Sequence, residues 1–267
     1  MSQNFNLNRY RLLFLKNLSE NYLKYILFYA GMALVLSILL YISFPMLSNI
    51  TTIYNSNHKL LKREPDTFLA IFFFRILLQF GGAIFTSTIF AEYGNKQEAI
   101  YNITLPATIT EKFWVAWTLS VKLFTVIALA LFYLILWIIV EIKGETNFHY
   151  LNLLSLEGIN IISFFLFFQS LYFFGAISFN KQHLIKTTLI IAVFGSLFSY
   201  WNAHLLPIIM GRDYLGFTTN GDIIVKNMVI YSRNHRFPLN ILKELIFFVL
   251  AVIFWTASYF KLKEKEV

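Results

Sequence analysis

Six apolar runs, each about as long as a helix needs to cross a bilayer, constrain this chain more than any other feature. A helix rises about 1.5 Å per residue, so about 20 mostly apolar residues cross a hydrocarbon core of roughly 30 Å. Read with that ruler, residues 25–44, 67–90, 121–140, 159–179, 184–206 and 242–260 each qualify. Lipid cannot hydrogen-bond exposed backbone groups, so each run is expected to close its own amides as a helix. The expected fold is an all-α integral membrane protein of about six transmembrane helices. No internal repeat or low-complexity linker divides it, so residues 1–267 read as one membrane domain with no soluble catalytic domain of its own.

Composition agrees. Hydrophobic residues make up 58% of the chain and charged residues 13%, where a soluble domain carries about a quarter charged. That excess of apolar surface needs lipid as its solvent. Tyr and Phe near the span ends suit the headgroup layer. Cysteine is absent, which excludes disulfides, thiolate catalysis and Cys-ligated metal. The formal net charge of +8 sits at span ends and in loops, where it meets anionic lipid headgroups; nucleic acid is not an expected partner. The first residues lack the short apolar core and small-residue cleavage site of a signal peptide.

An even number of spans puts both termini on one face. That face would hold twelve Lys and Arg (9, 11, 16, 24, 96, 112, 122, 181, 186, 261, 263 and 265), against eight opposite (59, 62, 63, 143, 212, 226, 233 and 236). The excess assigns both termini to the cytoplasm. Residues 8–21 place Tyr10, Leu13, Phe14 and Leu18 on one helical face, with Arg9, Lys16 and Glu20 mostly elsewhere, as in an amphipathic interfacial helix. The loop over 207–240 is the longest on the other face. Its Asn220-Gly221, between 215–219 and 222–229, signals a short hairpin.

The cytoplasmic connection at 92–117 carries the most chemistry. Pro106 lacks an amide donor and suits a turn or a helix start. Thr108 and Glu111 form a capping-box pattern, which predicts a helix starting near Ile109. Lys112, Phe113, Trp114 and Trp117 are expected to form an interfacial collar before that helix enters the membrane. Residues 94–104 are left as a short polar segment, open to a partner.

The run Leu105-Pro106-Ala107-Thr108-Ile109-Thr110-Glu111-Lys112-Phe113 resembles the Leu-Pro-Ala-(Ser/Thr)-x-x-Glu-Lys-Phe segment of small permeases in the type-2 ABC-exporter superfamily, particularly those of Bacteroidetes. Six spans, an amphipathic N-terminal helix and the charged tail at 261–267 fit the same layout; the sharp motif covers about nine residues. The resemblance implies a permease subunit of the bacterial cytoplasmic membrane, paired with a second permease chain as homo- or heterodimer and with cytoplasmic ABC ATPase subunits. ATP and Mg would be bound by the ATPase, and this chain would need no cofactor. It further implies ATPase coupling through Asn95, Lys96, Gln97 and Glu98, and more weakly through Arg9, Arg11 and Lys16, with Pro106, Thr108 and Glu111 capping the segment. An ordinary interfacial cap is the plainer account of 105–113, and the two are compatible. One departure is that the family's re-entrant hairpins before the last span are replaced here by a polar loop. The extracellular gate is therefore not carried over.

Arg75 and Gln79 lie inside the second span. A charge there faces a cavity or partner, or snorkels to the near interface, so both residues are candidates for a substrate path. Gly81 and Gly82 suggest close helix packing or a bend, and Gln169 an interhelical hydrogen bond. The histidines at 58, 149, 183, 204 and 235 show no metal-ligand spacing. No Walker motif, Glu-Glu pair or rhomboid-like Gly-x-Ser occurs, which argues against a nucleotide-binding engine or an intramembrane protease. The expected function is export of an amphipathic, lipid-like or peptide substrate by a chain without catalytic residues. A non-transporting scaffold that recruits a cytoplasmic partner is the alternative.

Overall fold

The computed structural model describes residues 5–47, 50–54, 60–65, 68–94, 107–144, 155–179, 182–205, 208, 214–217, 223–225, 228–230 and 236–265. Among them are six helices long and apolar enough to cross a membrane. The protein is an all-α multi-pass membrane protein.

The first helix, α1, runs Leu7–Leu47 without interruption. The amphipathic stretch 8–21 and the span 25–44 are thus one helix, not two. The face expected to be apolar holds: Tyr10, Leu13, Phe14 and Leu18 pack against the core, while Arg11 and Glu20 are exposed. Helix α2 covers Phe68–Gly94. The third spanning helix has three parts in one run, α3 (Ile109–Trp117), a π-helical turn (Thr118–Leu123) and α4 (Phe124–Lys143). It stops at Gly144, whose φ of 69° gives the left-handed cap that glycine tolerates best. Helix α5 (Leu156–Ser178) starts on Ser155, whose hydroxyl accepts from the Gly158 amide at 3.2 Å. Helix α6 (His183–Tyr200) continues into a π-helical end at Trp201–Leu205. Helix α7 closes the described chain at Arg236–Lys265.

The aromatic residues that made the composition unusual form much of the core. Tyr25, Phe28 and Tyr29 of α1 pack on Phe85 of α2, with Phe124 and Phe165 stacked beyond. Phe74 and Phe132 stack with centroids 4.1 Å apart. The paired glycines of α2 allow this closeness: a Cβ on Gly82 would sit 2.7 Å from Phe165, and one on Gly81 3.2 Å from Met32. Close packing is the role expected of them.

Two small sheets lie outside the spanning helices. Strands β1 (Ile50–Tyr54) and β2 (Leu60–Pro65) form an antiparallel pair between α1 and α2, where no strand is expected from the sequence. Between α6 and α7, β3 (Tyr214–Phe217), β4 (Ile223–Val225) and β5 (Met228–Ile230) form an antiparallel meander. Phe217 pairs with Ile223; Asn220 and Gly221, expected to form the turn, lie outside the described residues. The second arm, read as one stretch, divides into β4 and β5.

Candidate functional site

The start of α3 carries the first constellation. Thr108 is extended (φ −72°, ψ 155°), and its hydroxyl accepts from the Glu111 amide at 3.3 Å. Glu111 Oε2 accepts from the Thr108 amide at 2.9 Å, so the capping box expected from sequence is present and the helix begins at Ile109. The other carboxylate oxygen does something the motif does not announce. Oε1 accepts the Asn6 amide at 2.7 Å and faces the Arg9 guanidinium at 3.1 Å. Glu111 is fully buried. Burial alone would push its carboxyl up, but the amides of Thr108 and Asn6 and the charge of Arg9 outweigh it. The group, ten residues before the apolar run at 121, is held below its ordinary value. One side chain thereby fastens the start of α1 to the start of the third spanning helix. Tyr10 repeats the connection, its hydroxyl 2.8 Å from that of Thr118.

The collar expected beside this cap is partly corrected. Only Trp114 is exposed; Lys112 and Phe113 are buried. Helical spacing turns Phe113 and Trp117 toward α7, where they meet Tyr259 and Trp255 edge-on. Thr110 adds a hydroxyl contact to Tyr259 at 3.3 Å. Of the residues expected to couple to an ATPase, Arg9 joins Glu111, Arg11 is exposed, and Lys16 lies 3.9 Å from Glu20 on its own helix. Asn95, Lys96, Gln97, Glu98 and Pro106 lie outside the described residues.

Just past the cap, the π-helical turn leaves the Ser120 carbonyl to a side chain: it accepts from the Gln169 amide of α5. The same amide nitrogen lies 3.3 Å from the Thr86 hydroxyl of α2. Gln169 thus ties three helices together, the interhelical role read for it. π-Helical turns are uncommon and concentrate at functional positions.

A second polar constellation occupies the opposite end of the bundle. The Arg75 guanidinium lies 4.6 Å above the Phe164 ring of α5, and the Glu244 carboxylate of α7 acts on it electrostatically. Glu244 accepts from Asn160 at 2.6 Å and from the Ser163 hydroxyl. One turn along α2 from Arg75, both amide atoms of Gln79 are shielded and have no hydrogen-bond partner among the described residues. Arg75 and Gln79 are the two members expected from the sequence. Asn160, Ser163 and Glu244 are not among the expected residues, although a carboxylate inside the last apolar run is a signal for Glu244. Arg75 lies over Phe164 two turns from the start of α2, so a contact with α5 and a position near the interface hold together.

Comparison with known proteins adds no relative. No family model, no curated protein and no solved structure matches the chain.

Proposed function

We propose that this chain is the permease subunit of an ATP-driven ABC exporter in a bacterial cytoplasmic membrane, with both termini cytoplasmic. It would work with a second permease chain and a separate ATPase, and carry an amphipathic substrate. The observation that supports this most is the Glu111 junction. Closure of an ATPase pair would press on the polar connection at 94–104, which leads directly into α3. Glu111 holds the start of α1 to α3 through Asn6 and Arg9, so the same push reaches two spanning helices together. Beyond the junction, the π-helical turn is a place where the third helix can change register without breaking. Coupling of this kind requires that the ATPase states differ in their contacts with the connection.

Affinity purification of the chain from its native membrane tests the proposal. An ATP-binding-cassette ATPase should copurify with the wild-type protein and be lost from the double variant Lys96→Glu, Glu98→Lys. Retention of the ATPase by that variant removes the docking site proposed here. Its absence from the wild-type preparation removes the permease reading.

A further inference from the structure

The constellation around Arg75 puts opposite charges and an unpartnered amide at one end of the bundle. A cation and a carboxylate inside a membrane protein are costly unless they have a use or are fully paired. Here the pairing is incomplete in a specific way. Arg75 is only half-buried; its guanidinium lies over the Phe164 ring, and no hydrogen bond joins its N–H donors to a described residue, which leaves them for another group. Glu244 receives one hydrogen bond on each oxygen, from Asn160 and Ser163. A carboxylate accepts about four, so each oxygen retains capacity. Gln79 holds a shielded donor and a shielded acceptor with no described partner, an arrangement that is costly unless something satisfies it.

The position is equally specific. Arg75 lies seven residues into α2 and Glu244 eight into α7, about 10 Å below the helix ends at 1.5 Å per residue. That is near the boundary of headgroup and hydrocarbon. On the neighbouring surface of α2, Phe72, Ile76 and Phe80 are exposed, and on α7 Leu245 and Phe248 are. An apolar tail has surface to lie on beside either charge.

We infer that Arg75, Gln79 and Glu244 form a binding site for an amphiphile with a zwitterionic phosphate headgroup. The phosphate takes the guanidinium edge and the Gln79 amide N–H, since a planar fork matches oxyanion geometry. The ammonium takes the remaining capacity of Glu244. One cation and one carboxylate on the protein balance one anion and one cation on the ligand. Binding does not depend on the permease proposal; only describing the ligand as cargo does.

The test uses the full chain purified in detergent, with whatever subunits accompany it, and native mass spectrometry to titrate three lipids of identical acyl chains. Their heads are phosphoethanolamine, phosphate alone, and the free hydroxyl of a diacylglycerol. The phosphoethanolamine lipid should bind at least tenfold more tightly than the diacylglycerol. Arg75→Gln should abolish that preference. Glu244→Gln should weaken the phosphoethanolamine lipid while sparing or improving the lipid with phosphate alone. Gln79→Leu should weaken binding yet raise the melting temperature, because it removes two unpartnered polar atoms; a structural glutamine would not separate the two readouts. Equal affinities for the three lipids would overturn the inference, as would wild-type binding by Gln79→Leu. Free phosphoethanolamine displacing the lipid at equal concentration would overturn the assignment to an amphiphile. ATPase copurification is measured separately, so loss of one result leaves the other standing.

Discussion

At the scale of single residues, Glu111 concentrates most of what α3 needs to start. Both its oxygens accept backbone amides, Thr108 on Oε2 and Asn6 on Oε1. An amide side chain cannot replace it, because its NH2 would face an N–H donor whichever way it turned. Glu111→Gln is therefore expected to cost about 2 kcal/mol, the usual penalty of a buried donor left unsatisfied. Arg9→Ala should cost less, about 1 kcal/mol at most, since the Arg9 side chain is 41% exposed and solvent screens its pairing. Thermal unfolding followed by tryptophan fluorescence in detergent measures both. Acid adds a second readout. Glu111 binds its proton less tightly folded than unfolded, so its contribution is complete above the ordinary carboxylate value of about 4.3 and is lost as pH falls through the lower folded value. Wild type should lose stability on acidification below about pH 4 more steeply than Glu111→Gln, and the two should run parallel between pH 5 and 8.

At the scale of elements, α6 shows how little can hold a helix in place. Most of its side chains are exposed, including Ile185, Leu189, Phe194 and Phe198. Its only buried residue is Thr187, which sits in the notch left by Gly175 of α5. A Cβ on Gly175 would come within 2.7 Å of the Thr187 methyl and collide with its hydroxyl. Two polar contacts flank the notch, Tyr172 to Thr188 at 3.1 Å and His183 to the Ser87 carbonyl at 3.0 Å. Gly175→Ala is expected to destabilise the protein by about 1–3 kcal/mol through overpacking. Thr187→Ala in the same chain should recover a large part, and a double-mutant cycle on melting temperatures reads that coupling. The existence of α6 was legible in the sequence because lipid dictates the length of an apolar run. Its attachment was not, because Gly175 and Thr187 announce nothing until two helices are placed side by side. The same division runs through the rest of the molecule. The Thr108–Glu111 box was legible because both partners lie within one turn, whereas Asn6 meets Glu111 across 105 positions. The interfacial stretch 8–21 and the span from 25 join without a break because polar residues change which face is wet but do not stop a helix that lacks Gly or Pro there. The π-helical turn has no compositional signature, and Thr118–Leu123 reads as ordinary helix.

At the scale of the whole molecule, the direction of every helix pair agrees with a chain that crosses six times. Arg75, Gly82 and Thr86 of α2 meet Phe164, Phe165 and Gln169 of α5 in ascending order, so the second and fourth spans run parallel. Phe113 and Trp117 meet Tyr259 and Trp255 in descending order, so the third and sixth run opposite. Alternation of this kind gathers strands β1 and β2 and strands β3 to β5 at one end and the Glu111 junction at the other. The excess of Lys and Arg, twelve against eight, is the basis for proposing that the junction faces the cytoplasm. The absence of cysteine makes the orientation directly measurable, because any thiol introduced is the only one in the chain. An impermeant maleimide added to intact cells, with the outer membrane opened where there is one, should label Asn220→Cys. It should reach Ser2→Cys and Glu266→Cys only after the cytoplasmic membrane is permeabilised. Labelling of Ser2→Cys and Glu266→Cys in intact cells with protection of Asn220→Cys would invert the protein, and an ATPase could then no longer reach the connection at 94–104. Labelling of only one terminus would mean an odd number of crossings, and the helix at fault would be α6, the least buried of the six.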